Sequence, residues 1–339
     1  MERMEARQAK RENRQARKLG EADYLLMVDD QTRQGALRFA NHFDGPFLAI
    51  YPNTRIPPLV ELGRLLDSSN RIINQEERDQ DLLDILEPGS SLGGARPKAS
   101  VVDQEGSLWI AKFPSPKDEW DVELWEYICL KLAHKAGIPV PDFWLQNISG
   151  HNVLLTKRFD RQEKIRIPFV SAMTMLEAKD REPRSYLEIA EALISYGAAV
   201  KTDLKALWRR MVFNVLVSNL DDHLRNHGFL FDQKLSGWRL SPIYDLEPLP
   251  EQVKGRFLQT SIDLENNMAS LELALEAAEE FGLSIEEAKK TAQEIGKVTQ
   301  AWKKEAPNLG AVKREMDFMA SAFEHKNLRI ALREKFFGS

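Results

Sequence analysis

At 339 residues, with 43% hydrophobic and 29% charged residues, the chain has an ordinary globular composition and enough length for two cores. Its formal net charge of −5 gives no general argument for nucleic-acid or membrane binding. A single cysteine, Cys129, excludes an intramolecular disulfide and fits a reducing cytoplasm. No apolar run reaches transmembrane length, and the charged first twenty residues do not read as a secretory signal, so the expectation is a cytoplasmic protein with no membrane partner.

Residues 1–20 carry seven Lys or Arg against three Glu, interleaved and without aromatics. That pattern reads as a solvated charged helix over residues 1–21, with a basic arm for nucleic acid as the weaker reading. Between Ala22 and Pro57, the apolar pieces Tyr24–Met27, Ala36–Phe39 and Phe47–Tyr51 read as small strands in a loop-rich region. Pro58–Leu66 and Gln80–Leu86 have helical spacing, and Pro88-Gly89 is a stop signal. Gly93-Gly94 is either a simple turn or a loop whose backbone could approach phosphate oxygens.

Val101-Val102 and Ser107–Phe113 predict a hairpin across Asp103–Gly106. Lys112 is the one charged residue of the run Leu108–Phe113, on the strand face of Leu108 and Ile110. It should meet a carboxylate or a phosphate, unless the strand is an edge and the lysine reaches water. Asp118–Gly137 is strongly helical and carries Glu123 and Glu126, either of which could pair with Lys112. Ile138–Pro141, Phe143–Gln146 and Val153–Phe159 read as strands. Lys157-Arg158-Phe159-Asp160-Arg161 then leads into a mostly helical remainder. The pattern predicts an α+β, two-lobed, protein-kinase-like fold, with a β-rich small lobe over 22–157 and an α-helical large lobe over 158–339.

The stretch 211–250 organises the rest. Met211–Val217 suits a buried helix, and the chain then turns polar at Asn219, Asp221, Asp222, His223, Arg225, Asn226 and His227. Gly228–Asp232 and Trp238–Ser241 read as a hairpin leading to Tyr244-Asp245. Asp221 and Asn226 are spaced like the catalytic Asp and metal-binding Asn of a protein-kinase catalytic loop, and Asp245 stands where a second metal-binding Asp is expected. Asp and Asn also fill ordinary turns, so the spacing alone does not decide. His223 and His227 have the spacing of zinc ligands on a helix, but there is no H-E-x-x-H and Cys129 has no thiol partner. Beyond the site, Leu271–Phe281, Ile285–Lys304 and Val312–Phe323 are helical by period, and Ser284-x-x-Glu287 forms a capping-box pattern.

SSLGGARPKA, IAKFP, KRFDR, SNLDDHLRNHGF and LSPIYDLEP occur in this order and together resemble the HipA family of serine/threonine kinase toxins, across nearly the whole chain from Ala22. The resemblance implies Asp221 as catalytic base, Asn226 and Asp245 as Mg²⁺ ligands, Lys112 on the ATP phosphates, and Gly93 and Gly94 in the loop over them. It favours Glu126 over Glu123 as the partner of Lys112. Ser91 matches the family's autophosphorylated serine, with Ser90 as the neighbour to exclude. The implied partners are a protein substrate of the aminoacyl-tRNA synthetase class, a HipB-like antitoxin, and DNA only through that antitoxin. Family members usually carry a further small amino-terminal subdomain, and the sequence opens inside the segment that ends it. Three explanations stay open, a separately encoded subdomain, its loss, or its removal by an incorrect start, and the first would make a subdomain protein a further partner. Two other readings stay open: a small-molecule kinase of related fold, and a catalytically silent co-repressor module, against which the intact Lys112, Asp221, Asn226 and Asp245 set argues.

Overall fold

The computed structural model describes residues 1–49, 56–78, 80–82, 85, 96–264 and 266–333. It divides into two compact units, Met1–Glu123 with Asp142–Pro168, and Leu124–Pro141 with Phe169–Ser339.

The first unit is built on an antiparallel sheet of β1 (Lys98–Val102), β2 (Leu108–Lys112), β3 (Phe143–Ile148) and β4 (His151–Lys157), in the order β1-β2-β4-β3. Strand alternation sends Ala99, Val101, Trp109, Ala111, Val153 and Leu155 to one face, where they pack with Leu62, Leu65 and Leu66. Lys112 stays on the opposite, half-buried face with Leu108 and Ile110, as the alternation predicts. The β1–β2 turn is fixed by Asp103, which accepts from the backbone of Glu105 and Ser107 and from Trp109 Nε1 at 2.8 Å. Gly106 completes it at φ +83°, a conformation other residues rarely adopt.

Several local expectations give way here. Tyr24–Met27 belongs to the helix Glu21–Met27. An apolar run of four does not by itself tell strand from helix. Ala36–Phe39 forms no strand, and a single bridge joins Ala40 to Phe47. The first twenty residues are helical only over Glu2–Arg11. Ile138–Pro141 is irregular, because Gly137 at φ +72° ends the helix Val122–Lys135 and Pro139 and Pro141 have no N–H for a ladder. The helix after Pro58 begins as a single turn, Leu59–Glu61, and runs on as Leu62–Ile73. Gln80–Leu86 falls partly outside the described residues.

The short pair β5 (Arg161–Gln162) and β6 (Ile165–Arg166) closes the first unit. In the second unit, β7 (Phe169–Ser171), β8 (Gly228–Asp232) and β9 (Gly237–Leu240) form an antiparallel sheet in that order. The hairpin β8–β9 was legible from two short β-like runs punctuated by Gly237 and Pro242, whereas β7 is three residues long and carried no signal. The spine is the helix Val200–Val217, with Leu207, Trp208, Met211, Val212, Phe213, Val215, Leu216 and Val217 all fully buried. Against it pack the helices Tyr186–Tyr196, Leu271–Glu276, Ile285–Gln300, Lys313–Phe323 and Lys326–Ala331. Trp208 Nε1 donates to Ala274 O at 2.8 Å, which satisfies its one polar atom in the core. The Ser284–Glu287 capping box is present, and a second one, Ser185–Glu188, starts the helix Tyr186–Tyr196. The periodic stretch 285–304 breaks at Ala301 into Ile285–Gln300 and Trp302–Asn308. No described helix is long and apolar enough to cross a membrane.

Candidate active site

The buried spine helix ends abruptly because Ser218 adopts φ +54°, the left-handed region that L-residues other than Gly, Asn and Asp seldom enter. Its hydroxyl donates to Ala322 O at 2.6 Å and accepts from Arg256 Nη1 at 2.6 Å, and these bonds offset the backbone strain. Arg256 also donates to Val215 O at 2.9 Å, capping a helix carbonyl that has no intrahelical partner. The next residue, Asn219, donates to Asn214 Oδ1 at 3.2 Å and accepts the backbone N–H of Glu247 at 3.2 Å. Leu249 N donates to Ser218 O at 2.9 Å. The segment after β9 is thereby pinned alongside the end of the spine helix.

Asp221 follows with its side chain 54% exposed. The backbone then curls: His223 N donates to Asp221 O at 2.9 Å and Asn226 N to His223 O at 2.8 Å, giving the single turn Leu224–Asn226. Asn226 is buried, and its Nδ2 donates to Asp221 O at 3.4 Å. Tyr244 OH donates to Arg225 O at 2.7 Å, so the residue before Asp245 is tied to the residue before Asn226. Asp245 itself sits at φ +61°, a conformation Asp tolerates better than most residues. The second unit thus ties Asp221, Asn226 and the segment that carries Asp245 into one loop cluster.

Beneath it lies a polar network that sequence reasoning missed. Asp222 is buried and accepts from Tyr186 OH in a very short hydrogen bond and from His227 Nε2 at 2.9 Å. Asn214 Nδ2 donates to the Tyr186 hydroxyl at 3.0 Å, and Thr260 N to Asp222 O at 3.1 Å. Burial alone would raise the Asp222 pKa, but the charge and hydrogen bond of His227, with the Tyr186 bond, hold the carboxyl below the usual carboxylate range. Burial and the neighbouring Asp222 push the Tyr186 hydroxyl well up, so it stays a donor. Asp221 faces out and its neighbour faces in, so one residue can do chemistry while the next anchors the loop. The signal was an Asp-Asp pair with a histidine five positions after its second member. His227, read as one of two zinc-spaced histidines, is instead committed to Asp222.

The other candidates divide as follows. Lys112, at the end of β2, belongs to the first unit, and Glu126, buried on the helix Val122–Lys135, to the second. Glu123, the competing partner of Lys112, is taken by Arg96, whose Nη2 donates to it at 2.9 Å while Arg96 also grips Asp118. Burial pushes the Glu123 carboxyl up to about 7, against the pull of that guanidinium. Ser90, Ser91, Gly93 and Gly94 lie outside the described residues. Among the described residues no group of three His, Cys, Asp or Glu could hold a metal. Asn226 and Asp245 offer a carboxamide oxygen and one carboxylate, a hard but sparse donor set. Such a set suits Mg²⁺, which keeps several waters and takes substrate phosphate oxygens as its other ligands.

A family model described as the HipA-like C-terminal domain matches residues 90–302. The chain is 26% identical over 190 residues to a Haemophilus influenzae protein named "Putative kinase", covering 48% of this chain and 54% of that protein. It is 24% identical over 192 residues to the serine/threonine-protein kinase CtkA of Helicobacter pylori, covering 52% and 59% respectively. These matches therefore span little more than half the length of either relative. Among solved structures it resembles the HipA of Shewanella oneidensis MR-1, determined with HipB and operator DNA, at a TM-score of 0.61 and 19% identity. That match covers 84% of this chain and 74% of the other. The likeness establishes the two-lobed α+β, kinase-like fold.

Proposed function

Because the chain belongs to the family of HipA-like C-terminal domains, we propose that it is an ATP- and Mg²⁺-dependent serine/threonine protein kinase that acts as a HipA-like toxin. The observation that carries this reading is the loop cluster of the second unit. A solvent-facing carboxylate, Asp221, stands on a turn whose carbonyl is held by Asn226 and whose flank is tied through Tyr244 to Asp245. Phosphoryl transfer needs such an arrangement, because positioning and charge supply most of the acceleration. Asp221 would orient the acceptor hydroxyl and take its proton. Asn226 and Asp245 would hold Mg²⁺, which when bound neutralises charge on the triphosphate. The family resemblance would give Lys112 the ATP phosphates, Glu126 the role of its expected partner, and Gly93 and Gly94 a place in the phosphate-covering loop.

The partners follow from the same reading. The Shewanella relative was determined with HipB and operator DNA, which supports a HipB-like antitoxin here and contact with DNA only through it. The protein substrate would be of the aminoacyl-tRNA synthetase class. Incubating the chain with γ-labelled ATP and a bacterial lysate, then identifying the labelled protein, tests the activity and finds the target. Labelling of lipids or small molecules alone would overturn the protein-kinase reading.

Autophosphorylation at Ser91 would be the off switch. A phosphate there adds up to two negative charges beside the loop that must cover the nucleotide's own phosphates. Intact-mass analysis should find one phosphate on Ser91 in wild type and none in Asp221→Ala, and Ser91→Ala should be more toxic in cells. Wild type that stays unmodified at Ser90 and Ser91 with Mg²⁺-ATP removes the switch.

A further inference from the structure

A transferring phosphoryl group needs a positive side chain beside the carboxylate that accepts the acceptor's proton, to bear the charge that develops there. The loop itself offers two candidates. His223, two residues after Asp221, has its Nδ1 buried without a partner among the described residues, and its backbone is spent on the turn. Arg225, four residues after Asp221, is directed elsewhere: its Nη1 donates to Asp180 Oδ1 at 2.8 Å. A third cation arrives from a different part of the chain. Lys254 follows the turn at Pro250, its Nζ donates to Leu220 O at 2.9 Å, and it lies 3.5 Å from Asp221 Oδ1.

We infer that Lys254 is the catalytic cation of this site, supplied from beyond β9 instead of from the catalytic loop. The inference rests on the kinase reading above. The anchoring bond to Leu220 O fixes the ammonium beside the carboxylate without using up its other two donors. In the transfer step the acceptor O–H bond breaks and its proton passes to Asp221. The acceptor oxygen bonds the γ-phosphorus as the bond from that phosphorus to the nucleoside diphosphate breaks. Lys254 holds the Asp221 carboxylate toward the acceptor and lies beside the oxygens on which charge is redistributed. A lysine at this point also explains why Arg225 can be spared for Asp180.

The test separates charge from scaffolding. Full-length wild type, Lys254→Met, Lys254→Arg, Lys254→Cys and Arg225→Ala are assayed with γ-labelled ATP for self-labelling, casein labelling and release of inorganic phosphate. Lys254→Met should lower kcat by ~100-fold with the KM for ATP changed by less than about threefold and the melting temperature near wild type; Lys254→Arg should keep part of the rate, and Arg225→Ala nearly all of it. In Lys254→Cys, alkylation with 2-bromoethylamine restores an ammonium, whereas 2-bromoethanol restores only a hydroxyl donor. The native Cys129 is buried and its thiol pushed well up, so it should not compete for either reagent. Recovery with the amine and not with the alcohol is the expected result. Equal recovery with both, or full activity in Lys254→Met, overturns the inference while leaving the kinase reading intact. Wild type inactive in all three assays overturns both.

Discussion

Neighbouring residues in the loop carry opposite duties, and substitution should separate them. On the proposed reading, Asp245→Ala removes the one carboxylate of the pair that would hold Mg²⁺, and it should abolish the Mg²⁺-dependent part of any stabilisation that ATP gives by mass action. Asp221→Ala should keep most of that stabilisation and lose transfer, since its carboxylate faces solvent and its proposed role is with the acceptor. Calorimetric titration of both variants checks this, and equal loss of nucleotide binding would contradict the division. Asp222→Ala belongs to a different class. It strands the buried Tyr186 hydroxyl and His227 ring together, and should cost about 3–5 kcal/mol of stability, as for other broken buried pairs. Tyr186→Phe, which removes one donor, should cost about 1–2 kcal/mol. Denaturant titrations give both numbers. That Asp221, Asn226 and the Asp245 segment belong to one loop cluster was suggested by their spacing, because the proposed chemistry would fix it. The Asp222 network was not, because a buried Asp and a turn Asp look alike until the fold decides which one loses water. Lys254 was not legible for a related reason: chain separation hides what folding brings to Asp221.

Elements were legible where one physical signal dominated. The hairpin β1–β2 shows two apolar runs flanking a turn that Asp103 can close, and the Ser284–Glu287 box marks a helix start by chemistry alone. Tyr24–Met27 failed because four apolar residues fit either period, and the helix Lys326–Ala331 escaped notice because its cap is a histidine. His325 Nδ1 accepts from Leu328 N at 3.4 Å while its Nε2 donates to Leu216 O at 3.0 Å, so the ring works only as the neutral tautomer. Burial, then the nearby charge of Arg256, lowers its pKa from 6.5 to about 3. The folded state therefore binds this proton more weakly than the unfolded chain. The stability the neutral ring contributes is complete above about pH 6.5 and is lost as pH falls toward about 3. His325→Asn keeps a capping side chain and removes the titration. Between those limits its unfolding free energy should fall less steeply with pH than that of wild type. Parallel slopes would show that the ring does not titrate on unfolding.

At the scale of the whole chain, the first unit is closed by charge as much as by apolar packing. The KRFDR motif shows how. Arg158 and Asp160 are buried and paired at 2.6 Å, and Asp160 also accepts from Arg161 Nη1 at 2.9 Å and from Gly35 N at 2.7 Å. Arg158 reaches Thr32 O at 3.0 Å, Arg161 reaches Arg33 O at 2.6 Å, and Arg166 reaches Asp30 O at 2.5 Å. Each of these three bonds spans more than 120 positions of chain, so residues 29–38 are held by a segment that the sequence pattern reads only as the lead into the helical remainder. Burial alone would raise the Asp160 pKa, but the hydrogen bond and charge of Arg158 keep its carboxyl below the usual value. Removing that charge leaves Arg158 and Arg161 facing each other without compensation. Asp160→Asn should therefore cost about 3–5 kcal/mol, and the loss should be local. Amide hydrogen exchange should quicken across residues 29–38 and 158–166, and trypsin should cut faster at Arg33 and Arg38. The spine helix Val200–Val217, whose core is apolar and lies in the other unit, should keep its protection. Uniform loss of protection through both units would mean that the motif stabilises the chain as a whole and not the amino-terminal segment it grips.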